Sequence, residues 1–226
     1  MEFKDFFGMS SSEIKKICII CQNYDLPLFS QESKNGFFVK TADAGNATAI
    51  ALKNNFLAGD AVLKLKDSGC ENILLFGSCG GCGEVESGDI LFIDKTYNLE
   101  SFSKMLKLEE EMESAPFSES LNSAFYGKYP YEDLIKTNSA CVSSLILETL
   151  YTSRFKDNGI CAIDMESSIV LSAANKIGAQ AACFMYVADH IEKNPVGIEL
   201  EKKQKNKISL SRKKLAKMIM DFTNDF

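Results

Sequence analysis

The sequence FGSCGGCGEVESGD, residues Phe76–Asp89, is the most unusual segment of this 226-residue chain. It contains five glycines and two cysteines spaced C-x-x-C, and no large side chain stands between Gly77 and Glu84. The pair Cys79 and Cys82 raises a metal or redox site as one interpretation. The alternative is a cradle for an anionic ligand, because successive backbone N–H groups without bulky side chains form an anion-binding concavity.

The metal or redox interpretation needs a second pair of ligands. The only other C-x-x-C pair, Cys18 and Cys21, lies much farther away than the ~15–20 residues that separate the pairs of a zinc ribbon. If Lys15–Gln22 is a strand, these two thiols point to opposite faces, because side chains alternate along a strand.

A third interpretation is a tight connection whose glycines adopt positive φ. The glycine segment follows a predicted buried strand. This position favours the anion cradle, since α/β sheets bind ligands at the carboxyl ends of their strands. We predict no metal site.

The composition limits the classes of protein to which this chain can belong. With 46% hydrophobic and 25% charged residues, the chain is predicted to be a soluble globular protein with a full core. The net charge of -6 argues against a general nucleic-acid binder, which carries a basic surface. No apolar run approaches the ~18–20 residues of a membrane span. The polar N-terminus is unlike a secretory signal, and the eight cysteines lie largely in apolar runs. Both features favour a cytoplasmic protein with reduced thiols.

Apolar runs and turn residues predict strands that alternate with helices. The predicted strands are Lys15–Gln22, Gly36–Ala42, Asn46–Lys53, residues 71–77, Gly88–Asp94, and residues 159–164 and 179–189. The predicted helices are Ala58–Gly69, residues 103–113, Val142–Phe155, residues 165–178 and a C-terminal helix from Ile198, whereas residues 114–130 are predicted to be irregular. This alternation predicts an α/β fold with helices flanking a central sheet. Without repeats or an interior linker, residues 1–226 are predicted to form a single domain.

Two separate blocks carry a resemblance to a known family. GSCGG followed by GDILFI, and the block AIDMESSIVLSAANKIGAQAACFMYVADH at Ala162–His190, resemble the signatures of nucleoside phosphorylases and related nucleosidases. The second block is similar to the family's V-E-M-E-A-A…V-S-D-H segment, and the distance from Glu166 to Asp189 also fits. The resemblance implies a three-layer, phosphorylase/hydrolase-like fold with a central mixed sheet flanked by helices. It also implies an enzyme without a cofactor that assembles as a homodimer or a trimer of dimers.

The chemistry of these enzymes gives three residues defined roles. Cleavage of an N-glycosidic bond develops positive charge on the ribose and negative charge on the departing base. The resemblance implies that Glu166 holds the ribose hydroxyls, that Met165 packs on the sugar and that Asp189 protonates N7 of a purine. A carboxylate can accept two charge-assisted hydrogen bonds from hydroxyls. Asp189 ends an apolar strand, where partial desolvation raises a carboxyl pKa. The alternatives are a helix-dipole role for Glu166 and a turn role for Asp189.

The nucleophile site follows the family pattern only in part. The resemblance implies that phosphate is held by Gly77, Ser78 and Cys79, but Leu75 stands where phosphorylases carry an arginine. The whole chain has only two arginines, and a dianion in a dry pocket needs a cation. Hydrolytic relatives, the methylthioadenosine/S-adenosylhomocysteine nucleosidases, also lack this arginine and activate water with a glutamate. The comparable residue here is Asp25, and Lys202 is a further candidate at a downstream basic position.

Three functions follow from these residues. The first, which the resemblance favours, is phosphorolysis of a purine nucleoside to free base and ribose 1-phosphate, with inorganic phosphate as co-substrate and purine salvage as the role. The second is hydrolysis by a nucleosidase of the methylthioadenosine/S-adenosylhomocysteine type. The third is a nucleoside-binding homologue that retains Glu166 and Asp189 but has lost catalysis. All three predict a small nucleoside ligand and no nucleic-acid or membrane partner.

Overall fold

The computed structural model describes residues 1–101, 111–129 and 134–225. The chain divides into two compact units. The first unit comprises Met1–Gly77, Ile169–Ala182 and Ala216–Phe226. The second unit comprises Ser78–Ser168 and Cys183–Leu215. The single domain predicted from the sequence stays a prediction, and the two units are described separately.

Strands and helices alternate along the described residues. The strands are β1 (Ile17–Gln22), β2 (Lys34–Asn35), β3 (Val39–Ala44), β4 (Ala47–Leu52), β5 (Asn72–Gly81), β6 (Ile90–Leu99), β7 (Glu113–Pro116), β8 (Ile135–Val142), β9 (Ile160–Asp164) and β10 (Gln180–His190). The α-helices are α1 (Phe3–Phe7), α2 (Ala58–Lys64), α3 (Glu119–Lys128), α4 (Thr152–Asp157), α5 (Ser167–Ile177) and α6 (Lys202–Asn224). The chain is therefore α/β, with a mixed central sheet flanked by helices, as predicted.

In the first unit, β1 is an interior strand. It runs parallel to β4 on one side and to the start of β5 on the other. The strand is almost completely buried, which explains the uninterrupted apolar run ICIIC, because a parallel strand covered on both faces needs apolar side chains on both. Strand β4 pairs antiparallel with β3, and β3 pairs antiparallel with β2. At the β3–β4 turn, Gly45 has φ +69° and donates its N–H to the Asp43 carboxylate at 3.0 Å.

In the second unit, β6 is the central strand. It runs parallel to β8 and antiparallel to β7 and β10. Strand β9 runs parallel to β8 and pairs antiparallel with the end of β5 through Gly80 and Gly81. Buried apolar side chains from β6, β8, β9 and α4, including Tyr97, Val142 and Phe155, form one core cluster. These pairings place the ends of β5 and β9 side by side.

Most of the predicted elements are confirmed. Strand β1 matches the expectation for Lys15–Gln22, and β3 and β4, which lie on the predicted strands Gly36–Ala42 and Asn46–Lys53, form a hairpin. Helix α2 begins at the predicted residue, Ala58. Helix α5 ends where predicted, at Gly178, whose φ of +79° is the left-handed conformation that glycine adopts most readily at a helix C-terminus.

The glycine segment is not the loop that the sequence predicts. Strand β5 continues through Gly81, because Gly80 and Gly81 pair with Ile163 and Ala162 on β9. Of the five glycines in this segment, only Gly83 and Gly88 have positive φ. The backbone of residues 77–81 is therefore extended, and it does not form the concave nest that an alternation of right- and left-handed residues would create.

Two further expectations are wrong. Val142–Phe155 is not one helix, because β8 extends to Val142 and is followed by a 3-10 helix at Leu147–Tyr151 and then by α4. Residues 114–130 are not irregular, because they include most of β7 and all of α3. The predicted helix at residues 103–113 falls mainly on residues 102–110, which lie outside the described residues, and its last residue, Glu113, begins β7. No helix in the described part of the chain combines the length and apolarity needed to cross a bilayer.

Gly36 provides a test of the packing in the first unit. A Cβ at this position would stand 1.9 Å from the carbonyl oxygen of Phe6, which belongs to the backbone of α1. We expect Gly36→Ala to lower the free energy of unfolding by about 3 kcal/mol, the upper end of typical overpacking costs. Denaturant unfolding measures this change. Gly127→Ala is the matched control, because a Cβ there meets no atom within 4 Å and the residue is helical. Equal destabilisation of both variants would contradict this packing.

Candidate active site

The junction between β9 and α5 is organised by the carboxylate of Asp164. Its Oδ1 accepts hydrogen bonds from the backbone N–H groups of Glu166 at 2.8 Å and Ser167 at 2.6 Å. Its Oδ2 accepts a hydrogen bond from the Ser167 hydroxyl at 2.6 Å. Asp164 therefore caps the start of α5, where backbone N–H groups have no partner within the helix. Burial raises the pKa of Asp164, although these hydrogen bonds oppose the increase.

The Ser167 hydroxyl connects this cap to two other strands. Its Oγ lies 2.7 Å from Oγ1 of Thr96 on β6 and 3.1 Å from Oγ of Ser139 on β8. All these hydroxyl groups are buried. A buried network of this kind holds its members in one arrangement, because each lost hydrogen bond leaves an unpaired polar group. The network fixes the backbone on which Met165 and Glu166 lie.

Glu166 and Met165 occupy this fixed turn. Glu166 is 8% exposed, whereas Met165 is partly exposed. The position of Glu166 is consistent with the predicted ribose-binding role, which stays a prediction. The adjacent Ser168 donates its hydroxyl to the carboxylate of Glu100. A second polar contact therefore anchors the first turn of α5.

Asp189 lies near the end of β10, against the glycine segment of β5. A Cβ on Gly80 would stand 3.1 Å from Oδ1 of Asp189, so glycine permits the carboxyl group to approach the β5 backbone this closely. The side chain is partly exposed, and burial raises its pKa to about 6. The sequence predicted both the apolar surroundings of this residue and the direction of the shift. Its role as the general acid stays a prediction.

His190 has a structural set of contacts. The ring is fully buried, and its Nε2 lies 3.2 Å from the carbonyl oxygen of Gly83. Its Nδ1 accepts hydrogen bonds from the backbone N–H groups of Glu192 at 3.2 Å and Lys193 at 3.3 Å. Because Nδ1 is an acceptor, Nε2 carries the proton and donates it to Gly83. These contacts engage both ring nitrogens of His190 with the backbone.

Two buried thiols, those of Cys79 and Cys183, are influenced by the charges of the acidic residues. Burial raises the pKa of Cys79, and the nearby charges of Asp164 and Asp189 raise it further. Burial also raises the pKa of Cys183, with further contributions from Asp164, Cys79 and Glu166. Asp164 thus influences both thiols, whereas Asp189 acts on Cys79 and Glu166 acts on Cys183. Both acids that the sequence singled out, Glu166 and Asp189, lie in the second unit.

The residues predicted to hold phosphate lie along β5. Ser78 is half-buried, and a Cβ on the preceding Gly77 would meet no atom within 4 Å, so open space adjoins this part of the strand. The Cys79 thiol is directed elsewhere, because its Sγ donates to the carbonyl oxygen of Tyr186 at 3.7 Å. The phosphate-binding roles of Gly77, Ser78 and Cys79 stay predictions.

The two additional candidates occupy different settings. Asp25 belongs to the first unit, where it is fully buried and precedes a 3-10 helix at Leu26–Leu28. Lys202 is the first residue of α6 in the second unit and is exposed. The roles proposed for both residues stay predictions. Within the described residues, no group of three histidine, cysteine or acidic side chains is arranged to hold a metal ion.

One acidic residue of the cluster was missed at the sequence level. Glu148 lies in the 3-10 helix at Leu147–Tyr151 and is only 6% exposed. Burial raises its pKa to about 7, and the charge of Asp189 contributes to this increase. The expectation of one helix at Val142–Phe155 did not single out Glu148. The only local signal was its position within the apolar sequence LILETLY.

Comparisons with known proteins show the family of this chain and support its fold. The family model described as "Phosphorylase superfamily" matches residues 44–223. Uridine phosphorylase from Vibrio fischeri ES114 superposes with a TM-score of 0.76 at 15% identity, over 96% of this chain and 95% of that chain. The methylthioadenosine/S-adenosylhomocysteine nucleosidase of Campylobacter jejuni gives 0.70 at 14% identity, over 94% and 100%. Futalosine hydrolase of Helicobacter pylori gives 0.66 at 16% identity, over 94% and 99%. Curated protein sequences gave no match.

The Asp164 cap can be tested by two substitutions. Asp164→Ala removes the acceptor of two backbone N–H groups and one hydroxyl, so we expect it to lower the free energy of unfolding by about 3 kcal/mol. Asp164→Asn retains a side-chain oxygen for the two N–H groups, so we expect a smaller loss of about 1 kcal/mol. Urea unfolding at neutral pH measures both changes. Wild-type stability in the alanine variant would show that this cap does not hold the turn.

Proposed function

The chain belongs to the phosphorylase superfamily, and we propose that it cleaves the N-glycosidic bond of a purine nucleoside. The observation that carries this proposal is the carboxyl group of Asp189, held against Gly80 with a pKa that burial raises to about 6. A general acid works best when its pKa is close to the operating pH. Asp189 can therefore supply a proton to the departing base near neutral pH.

Glu166 supplies the second function that the reaction needs. Its backbone is held by Asp164, and its side chain is buried in the same unit as Asp189. An ionised carboxylate accepts hydrogen bonds from two ribose hydroxyls and favours the positive charge that develops on the sugar. Met165 is partly exposed beside it and provides an apolar contact for the ribose.

The acidic residues of the second unit affect which molecule can accept the ribosyl group. Asp164, Glu166, Asp189 and Glu148 all lie in the second unit, and no described cation lowers the raised pKa of Asp189 or Glu148. A phosphate dianion among carboxylates is repelled unless cations compensate, whereas a neutral water molecule is not. We therefore propose water as the acceptor.

Phosphorolysis is the second candidate, supported by the Ser78 hydroxyl and the open space beside Gly77.

An assay of base release tests the proposed function. The protein is incubated with adenosine, inosine and methylthioadenosine, with and without inorganic phosphate, and free base is measured. We expect release without phosphate, accompanied by an equal amount of reducing sugar. Release that requires phosphate would establish phosphorolysis instead. No release, combined with a nucleoside-dependent rise in melting temperature, would identify a binding protein, because a ligand that binds only the folded state stabilises it.

The role of Asp189 has its own test. We expect Asp189→Asn to lower kcat/KM by about 100-fold or more, because an amide cannot supply the proton that leaves with the base. In the wild-type protein the acid must be protonated, so kcat/KM is expected to fall as pH rises above about 6. The matched control is Asp94→Asn, which removes an exposed acid that pairs with Lys136 at 2.8 Å. Wild-type activity in Asp189→Asn would exclude this residue as the general acid.

A further inference from the structure

We propose that His190 is a positioning residue for the reaction: its ring holds the end of β10 against the segment that follows β5, so that the carboxyl group of Asp189 stays beside Gly80. The inference rests on the proposed function, since it assumes that Asp189 acts on the base. His190 is the only histidine in the chain and follows Asp189 directly. It touches no reacting atom in this proposal and acts only through the acid.

The imidazole ring connects two segments that are distant along the chain. Its Nε2 donates to the carbonyl oxygen of Gly83, 3.2 Å away and 107 residues earlier in the sequence. Its Nδ1 accepts hydrogen bonds from the backbone N–H groups of Glu192 and Lys193, and so closes the turn that follows β10. One side chain therefore both shapes this turn and attaches it to the segment after β5.

Neighbouring groups strengthen the same attachment. The backbones of His190 and Asn194 exchange two hydrogen bonds, at 3.0 and 3.1 Å. The side-chain amide of Asn194, which is also buried, donates to Oγ of Ser87 at 2.9 Å. Nζ of Lys193 donates to the carbonyl oxygen of Val85 at 3.1 Å. Three side chains of this turn thus bind the segment after β5, and His190 is the one adjacent to the acid.

Two glycines of β5 allow the ring and the acid to lie against the strand. A Cβ on Gly81 would stand 3.0 Å from Cδ2 of His190, and a Cβ on Gly80 would stand 3.1 Å from Oδ1 of Asp189. The backbone N–H of Ile191 also donates to the carbonyl oxygen of Gly81 at 3.1 Å. Asp189 and His190 thus approach consecutive residues of one strand, so a displacement of the ring also displaces the acid.

Burial makes this attachment firm. The ring of His190 is fully buried, and a buried nitrogen that loses its partner is unfavourable because no water replaces the lost hydrogen bond. Acid catalysis depends on such precision, since a displacement of about 1 Å can lower a rate by about 100-fold. Glu166 and Met165, which are proposed to hold the ribose, lie on a different turn, between β9 and α5. We therefore expect the loss of His190 to lower kcat more than it changes KM.

Two amide substitutions separate the contacts of the ring. In His190→Asn the amide group takes the place of Nδ1 and can accept from the turn, but the side chain is too short to reach Gly83. In His190→Gln the longer side chain reaches the place of Nε2 and can donate to Gly83. We expect kcat to fall by about 10-fold or more in His190→Asn and by less in His190→Gln, with KM nearly unchanged in both. The measurement uses whichever of adenosine, inosine and methylthioadenosine the wild type cleaves.

The pH profile separates positioning from a general loss of structure. In the wild type, kcat/KM is expected to fall above about pH 6, because burial raises the pKa of Asp189 to about 6. If the carboxyl group moves away from β5 and gains water, its pKa falls towards the ordinary value of about 4, so in His190→Asn the decline begins at lower pH. The control is Thr41→Val, which removes a buried hydrogen bond to the carbonyl oxygen of Phe7 in the first unit. It is expected to lower Tm without changing kcat or the pH profile.

The ring can also be observed directly, because a chain with one histidine gives one set of imidazole signals. At pH 7.5 the ¹⁵N chemical shifts of the wild type are expected to show a proton on Nε2 and none on Nδ1. A proton on Nδ1 would overturn the proposal, whether or not the protein is an enzyme and whether or not the variants fold.

The remaining outcomes distinguish this inference from the proposed function. If the wild type releases base, but folded His190→Asn has the same kcat and pH profile, His190 does not position the acid and glycosidic cleavage still stands. If no nucleoside releases base, the proposed function fails, and a ¹³C NMR titration of the Asp189 carboxyl group decides the placement. A pKa that falls in His190→Asn supports the attachment, whereas an unchanged pKa overturns it.

Discussion

The three hydrogen bonds accepted by the Asp164 carboxylate are the interaction on which the site depends. They cap α5 at the point where β9 ends and fix the backbone of Glu166 and Ser167. Through Ser167 they connect to hydroxyl groups on β6 and β8. The cap stabilises a helix end, and because it is buried it also sets the position of the acid proposed to hold the ribose. The same residue therefore serves both the fold and the proposed chemistry.

A concentration of acids in one part of the protein is unfavourable for folding, since each carboxyl group loses hydration and repels the others when ionised. Asp164 recovers much of this loss through hydrogen bonds to described residues. Asp189 and Glu148 instead show the consequence as raised pKa values of about 6 and 7. Strongly shifted acids cluster at functional sites, where the unfavourable free energy is recovered on binding a ligand. Asp164 is thus engaged in the fold, whereas burial leaves Asp189 and Glu148 with raised pKa values.

The sequence predicts those parts of the fold that depend on local pattern. The apolar run of β1, the hairpin turn at Gly45 and the glycine that ends α5 each carry their own signal. It does not predict the extension of β5, because that depends on pairing between Gly80 and Ile163, which are distant along the chain. The sequence also does not predict the burial of Glu148. Its local pattern indicates one helix at Val142–Phe155, whereas Val142 lies in a strand because it pairs with β6. The positions of Glu166 and Asp189 came from a family spacing rather than from local chemistry.

The C-x-x-C pair is better explained by packing than by metal or redox chemistry. Cys79 and Cys82 are buried free thiols, and burial raises the pKa of both, so they remain neutral. A neutral thiol behaves as a small apolar group. The charges of Asp164 and Asp189 both contribute to the raised pKa of the Cys79 thiol. Cys141 and Cys183, which are also buried and influenced by Asp164, extend the same apolar lining. The thiols therefore contribute low-polarity surroundings, in which the pKa of a carboxyl group rises, as it does for Asp164 and Asp189.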